Sequence, residues 1–504
     1  MKVNSKIASN AVILFLEWFS ATVFSLVYVI IMGKILPTQE FGIVQTCFSI
    51  VGIVFLFTTL GLDIAMAKLI PEYQKDKRKT NKLIQYSTKI ILVLNVIILI
   101  SLLLGSRIIA PLISLPLNAF WMVIICISAF SIYTFPGEII YGFQNMKKKF
   151  VTSFISNLIK VIISSVLIII GFGYLGPLIS FALGFGILGI LRFEKSWFEK
   201  NDSEIDEKLV LNGYAIPVFI GTLATSLFIT SQNIILNILK GPEITGIFSM
   251  GLTLIIPIWV IPSILSKALF PITSQLCLDK DKKKKQSSLM NLIIRYALLL
   301  TMPITIFLIV FSKRMILLMS QPSFLPASEF FPILAFGGIM YGFASLFHSN
   351  LYAIRKPKLN RNISIATSAL FMLIVFPLTY FLSATGMAIS YAFSTFFMSA
   401  SSFYFLKKNL NLKIPLKDLG KIVLSSIIFF AIIQISHEFI ISFLVKIGIA
   451  LIAGILYLLA LIPMNFYKES DVDIIRSFGK IFPKSFKIII NKICDILSKF
   501  AKKD

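Results

Sequence analysis

Fourteen long apolar runs follow one another along the chain, with limits near 10–33, 41–66, 86–106, 118–141, 151–171, 174–192, 209–238, 245–270, 288–311, 328–350, 362–382, 385–405, 419–436 and 441–463. A helix needs about 20 mainly apolar residues to cross the hydrocarbon of a bilayer. Backbone amides in lipid must be satisfied within their own segment, and none of these runs alternates polar with apolar as a barrel strand does. The runs therefore predict an all-α, polytopic membrane protein of about fourteen transmembrane helices. Composition excludes a water-soluble globule: 57% of the 504 residues are hydrophobic and 14% charged, for a mean hydropathy of +0.89. The first run is too long for a cleaved signal peptide and lacks a clear small-residue cleavage site, so it is read as the first span.

A net charge of +25 invites a nucleic-acid reading, which the placement of the cations opposes. Lys75, Lys77, Arg78, Lys79 and Lys82 follow span two, Lys147 to Lys149 follow span four, and Lys280 with Lys282 to Lys285 follow span eight. Arg355, Lys356, Lys358 and Arg361 follow span ten, and Lys407, Lys408, Lys413 and Lys417 follow span twelve. The odd gaps hold only Lys34, Arg107, Lys240, Lys313, Arg314 and Lys446. By the positive-inside rule the even gaps and both termini are cytoplasmic. The unbroken alternation also supports the count of fourteen.

The chain repeats itself. KILPTQEFGIVQ from Lys34 and ILKGPEITGIFSM from Ile238 both pass through a Pro and a Glu to a Gly that opens an apolar run. AMAKLIPEYQKDKRK from Ala65 and SKALFPITSQLCLDKDKKKK from Ser266 both carry a Lys, then a Pro, then a basic run. LGPLISFALG from Leu175 matches TGMAISYAFS from Thr385, with Gly176 opposite Gly386. Three matches in the same order make spans seven to twelve a second copy of spans one to six, in the same orientation. The expected organisation is an N-terminal lobe at 1–208, a C-terminal lobe at 209–408, two extra spans at 409–463 and a cytoplasmic basic tail at 464–504. A substrate site is expected between two such lobes near the midplane.

With GKILPTQEFG after span one, GLDIAMAKLIPEY ending span two and YGFQNMKKKF closing span four, the whole chain resembles the polysaccharide transporters, or lipid-linked oligosaccharide flippases. These belong to the multidrug/oligosaccharidyl-lipid/polysaccharide exporter superfamily. The resemblance implies a prokaryotic plasma membrane and export of a polyprenyl-diphosphate or similar lipid-linked sugar by alternating access, as a step of cell-surface glycan synthesis. Its partners would be that lipid, membrane lipids and other glycan-assembly proteins.

Moving a diphosphate and a glycan through hydrocarbon requires a polar, cationic path. Thr222, Ser226, Thr230, Asn233 and Asn237 recur at helical spacing on one face of span seven and are candidates to line it, against the plainer reading of helix-packing polar residues. Pro217 and Gly221 offer a bend in that span. Lys160 lies about 14 Å into span five and Glu17 about 10 Å into span one, too deep to reach the interface easily. Ionisable groups at such depth are functional candidates, and the competing reading is a Glu17–Lys160 pair that neutralises both. Lys68, Lys267 and the slightly deeper Arg295 mark the inner edge, where Asp63 and Glu138 are candidate gate or structural partners.

Other chemistries find less support. Cys47, Cys126, Cys277 and Cys494 lack metal-site spacing, and GxxxxGK[ST] is missing, so neither a metal, a nucleotide nor another cofactor is expected. A coupling proton or sodium ion stays open, with Glu17 as its carrier. The outer gaps carry Glu40, Glu243, Glu329 and Glu438 without paired Asp, which opposes a glycosyltransferase or polymerase. No catalytic residues are assigned and the chain is not expected to be an enzyme. The stronger alternative is a proton- or sodium-coupled multidrug or cation antiporter of the same superfamily, which wants net acid at the midplane where a diphosphate flippase wants net base. In the tail, Ile474, Phe478, Ile481 and Phe482 interleave with Lys480, Lys484 and Lys487, which predicts an amphipathic helix on the anionic inner leaflet.

Overall fold

The computed structural model describes residues 2–199, 203–276, 282–354, 356–410, 412, 416–439, 442–469 and six further positions up to residue 498. Sixteen α-helices are formed among the described residues. They are α1 (Lys2–Ile35), α2 (Thr38–Thr59), α3 (Leu62–Tyr73), α4 (Lys77–Leu112), α5 (Leu117–Gly142), α6 (Met146–Ile169) and α7 (Leu175–Arg192), followed by α8 (Ile216–Ile229), α9 (Ser231–Leu254), α10 (Ile256–Leu276), α11 (Lys282–Val310) and α12 (Ser312–Met319). The chain ends in α13 (Ala327–Ala353), α14 (Pro357–Leu410), α15 (Leu416–Glu438) and α16 (Phe443–Ala460). The predicted tail helix falls largely outside the described residues.

Among the described residues twelve helical stretches are long and apolar enough to cross a membrane, and the difference from fourteen runs lies in two stretches that turn within themselves. At 1.5 Å per residue the 54 residues of α14 would reach about 81 Å, far beyond a hydrocarbon core of about 30 Å. The backbone breaks at Ser383 (φ 54°, ψ −134°), so α14 makes two passes. The 46-residue stretch Leu209–Leu254 breaks likewise at Gly241 (φ 82°, ψ 174°), and its second part runs on into α10. With these breaks the helices correspond to the fourteen sequence runs.

The two matched glycines named above do the same job after their hairpins. A Cβ on Gly176 would press on Ile168 N at 3.2 Å, and one on Gly386 would overlap the Leu378 carbonyl. In both copies the returning helix therefore packs closely against the one before it. Span two also breaks, at Leu60 (φ 48°) and Gly61 (φ 76°), which separates α2 from α3.

The chain divides into two compact units: Met1–Leu254 with Lys313–Leu334 and Arg361–Ser394, and Ile255–Ser312 with Ala335–Asn360 and Thr395–Asp504. In the first, Met66, Leu69, Ile70, Leu83, Phe135 and Ile139 form one apolar core, and Ile43, Cys47, Ile50, Val123, Ile127 and Leu178 another. Large apolar side chains such as Leu104 and Phe381 stay open on its outer faces, as lipid contact requires.

Loop contacts in this unit obey the alternation of the spans. Lys34 donates to Leu317 O at 2.6 Å, Asn237 reaches Ile113 O, and a Cβ on Gly173 would meet Glu40 Oε2 at 2.5 Å, so the odd gaps meet one another. The even gaps gather too: Lys148 binds Glu194 at 2.6 Å and Lys77 binds Glu199 at 3.3 Å.

In the second unit α15 and α16 form a hairpin, tied by Ser425 Oγ donating to Tyr457 O at 2.6 Å. Tyr457 OH donates to Leu299 O at 3.1 Å, which fastens the hairpin to α11. Arg295 binds Asp418 at 3.2 Å and Asp471 at 3.0 Å and donates to Phe466 O at 3.0 Å, joining α11, α15 and the segment after α16.

Candidate functional site

Lys160 belongs to α6 where α7 crosses it. Gly184 permits the approach, since a Cβ there would press on Ser156 O at 2.9 Å. The lysine is 7% exposed, and among the described residues its ammonium makes neither a hydrogen bond nor an ion pair. Its neighbours are rings: Tyr28 of α1 at 4.8 Å and Phe185 of α7 at 5.4 Å from Nζ to centroid. Tyr28 is itself fixed, donating its hydroxyl to Pro177 O at 2.8 Å. Each ring contact contributes about 0.5–2 kcal/mol. Desolvating an ammonium costs several kcal/mol, so the rings alone do not offset it. The site holds a cation without an anion.

Glu17 does not supply that anion. It sits half-buried beside the Ser153 hydroxyl, within electrostatic reach of Lys149, Arg192 and Glu138. Lys149 in turn binds Glu138 at 3.0 Å. The two deep charges of the sequence thus occupy different surroundings, one carboxylate in a balanced cluster and one lysine among aromatic rings.

Arg192 was not among the residues singled out from sequence. It ends α7, is 2% exposed, stacks its guanidinium 3.7 Å from the centroid of the Tyr133 ring, and donates to Tyr133 O at 2.8 Å and Thr152 Oγ1 at 2.9 Å. Its Nη2 is buried with no hydrogen-bond partner among the described residues. An arginine at the inner end of span six is ordinary under the positive-inside rule, so its type and position carry no signal. The clue was Gly137 on α5, which leaves room for the guanidinium: a Cβ there would lie 2.6 Å from Nη1.

The polar stripe of span seven divides into two parts. Thr222, Ser226 and Thr230 are half-buried, and Thr222 donates to Val218 O at 2.9 Å within its own helix. The bend lies just before them: residues Leu209–Ala215 form a π-helix, and Pro217 starts α8. A Cβ on Gly221 would meet open space. The other end of the stripe is engaged in packing. Asn233 donates to Ser49 Oγ at 3.1 Å and accepts from Ser249 at 3.0 Å. Asn237 is fully buried and donates to Ile113 O and Ser114 O at 2.5 and 3.3 Å.

The inner-edge candidates divide between the two units. Lys68 is exposed, with its ammonium 4.1 Å from the centroid of the Tyr214 ring. Asp63 is buried near Thr59 and Glu138, and Glu138 is held by Lys149. Arg295 belongs to the ion cluster of the second unit. The side chain of Lys267 lies outside the described residues. Among the described residues no group of three His, Cys, Asp or Glu has the arrangement to hold a metal ion.

A family model described as polysaccharide biosynthesis protein matches residues 7–277, more than half of the chain. The chain belongs to that family. No curated protein sequence matches it. Among solved structures, the fold is similar to that of the lipid II flippase MurJ in an inward closed conformation, with 15% identity, a TM-score of 0.73, and coverage of 89% of this chain and 98% of that one. An inward-facing multidrug resistance MATE transporter of the MOP superfamily gives 14%, 0.62, and 78% and 94%. A MOP superfamily transporter from Pyrococcus furiosus, described by a reverse polarity of its binding pocket, gives 12%, 0.57, and 81% and 95%. At these identities the likeness is one of fold. With its apolar helices long enough to cross a membrane, the chain is a multi-pass membrane protein of that family with a fold like that of these structures.

Proposed function

We propose that this family member moves a polyprenyl-diphosphate-linked, or similarly lipid-linked, oligosaccharide from the cytoplasmic to the outer leaflet by alternating access. The observation that carries the reading is Lys160: a nearly buried lysine with no carboxylate partner among the described residues would be favoured in its charged form by an anionic ligand, and a diphosphate headgroup has that chemistry. The half-buried hydroxyls of Thr222, Ser226 and Thr230 supply polar wall for a glycan. Membership of the polysaccharide biosynthesis family and the likeness to a lipid II flippase support the substrate class. Outward movement of the anion in an inside-negative cell gains about 2.3 kcal/mol per charge per 100 mV, so a coupling ion is not required energetically.

A drug or cation antiporter would place uncompensated acid at this depth. Here the deep carboxylate, Glu17, is faced by Lys149 and Arg192, and the uncompensated charge is positive. The reading is tested by complementation of a flippase-deficient strain with Lys160→Gln, Glu17→Gln and the double variant, each checked for membrane abundance. Lys160→Gln should lower glycan export by about tenfold or more, equivalent to about 1.4 kcal/mol. The double variant should not restore it, and Lys160→Arg should retain part. Full export by Lys160→Gln overturns the assignment.

A further inference from the structure

Three even gaps of the first copy enclose a cleft of about 320 Å³, at the lower end of the roughly 300–1,000 Å³ usual for small-ligand sites. Its inner wall is aromatic, with half-buried Phe143 backed by buried Trp197, ring centroids 6.3 Å apart and planes at 20°. Its rim carries amides. Asn81 donates to Ser196 O at 2.7 Å, which leaves Oδ1 without a partner among the described residues. Asn145 accepts from Lys148 N at 3.2 Å as the cap of α6, which leaves Nδ2 free in the same sense. Gln74, exposed at the end of α3, makes no side-chain hydrogen bond among the described residues.

The two charged residues that line the cleft, Lys77 and Glu194, are both paired. Glu194, on the rim, is bridged to Lys148 at 2.6 Å, and Lys77 to Glu199 at 3.3 Å. The surrounding loops stay basic, but among the described residues the lining itself offers an anion no unpaired cation, and a purely apolar ligand would strand the amides. What fits is a neutral ring with one C–H face for the aromatic wall and several hydroxyls for amide donors and acceptors. The wall is also well braced: Gln85 donates to Trp197 O at 3.0 Å and Glu199 O at 2.8 Å, tying the loop after α7 to α4.

We propose that this cleft docks one pyranose ring of the glycan headgroup on the side from which substrate is loaded. The identity of the ligand and the side rest on the flippase reading above. The cleft is separate from Lys160, so sugar and diphosphate would be recognised by different parts of the chain.

The test is saturation-transfer NMR on the full chain in lipid nanodiscs, with methyl hexopyranosides and methyl N-acetylhexosaminides as probes. Wild type should transfer saturation to at least one probe, and Gln74→Trp, which fills the cleft from an exposed position, should lower the signal about tenfold or more. Asn81→Ala should weaken it as well. An unchanged signal in Gln74→Trp overturns the proposal, and so does displacement of the sugar by inorganic phosphate or by phosphatidylglycerol in the disc, which would mark an anion site. The two readings fail separately. Loss of export in Lys160→Gln with sugar binding indifferent to Gln74→Trp sinks the cleft and leaves the transport reading. Sugar bound at the cleft by a chain that exports no lipid-linked glycan does the reverse.

Discussion

Gly42 and Gly246, the glycines that open the second span of each copy, lie against one another. A Cβ on Gly42 would come within 2.8 Å of Gly246 N, and one on Gly246 within 3.1 Å of Gly42 N. The contact is self-complementary in the sense of a two-fold interface, with each copy offering the same position to the other. It closes α2 onto α9 among the odd gaps, and Thr38 is buried there.

Substituting either glycine should loosen this closure. Gly246→Ala would overlap the Thr38 carbonyl, and overpacking of this kind costs about 1–3 kcal/mol. A cysteine at Thr38, shielded in the parent, should then react with a small maleimide about tenfold faster. Equal rates in the two backgrounds would show that the glycine contact does not control closure.

Sidedness is testable at exposed positions of both parities. In a cysteine-free background, cysteines at Gln39 and Glu243 should label from outside intact cells, while one at Lys147 should label only after permeabilisation. Labelling of the Lys147 site from outside would invert the topology.

Within span seven the two halves of the polar stripe should respond differently. Ser226→Trp or Thr230→Trp should block export while membrane abundance stays normal. Asn237→Leu should instead destabilise, because the Ile113 and Ser114 carbonyls lose their donor, at about 1–3 kcal/mol. Thermal unfolding in detergent separates these outcomes. A normally exporting Ser226→Trp would move the path elsewhere.

Arg295 should matter for stability. Arg295→Met leaves the buried Asp471 carboxylate without its guanidinium, while half-buried Asp418 keeps Lys421 at 3.4 Å, a loss of about 3–5 kcal/mol. The midpoint of unfolding should fall, and Arg295→Met with Asp471→Leu should recover part of it. A midpoint equal to that of the parent would contradict a structural role.

Much of the fold was legible because lipid imposes a simple rule on sequence. Hydropathy gave the spans, and Lys147 to Lys149 against the nearly bare odd gaps gave their alternation. The breaks at Gly241 and Ser383 fall in the gaps left between the apolar runs, at 239–244 and 383–384, although Ser383 takes a positive φ that its residue type does not announce. Depth along a span picked out Lys160 and Glu17 but not their separation, since rotation about a helix axis is set by packing. Arg192 was hidden for the same reason. Asn237 and Arg295 look like site residues in a linear reading because type and depth alone do not distinguish a lining residue from a tie between helices.

The ion cluster at Arg295 also has a consequence for synthesis. Asp471 lies 176 positions later in the chain, so the ribosome releases the cation long before its buried partner exists. An arginine within a span opposes insertion by up to about 3 kcal/mol. Span nine therefore enters the membrane with its charge unmet, and the helix pair that the repeat does not explain completes it from downstream. Nascent chains that stop before residue 471 should be the ones the cell's quality control removes.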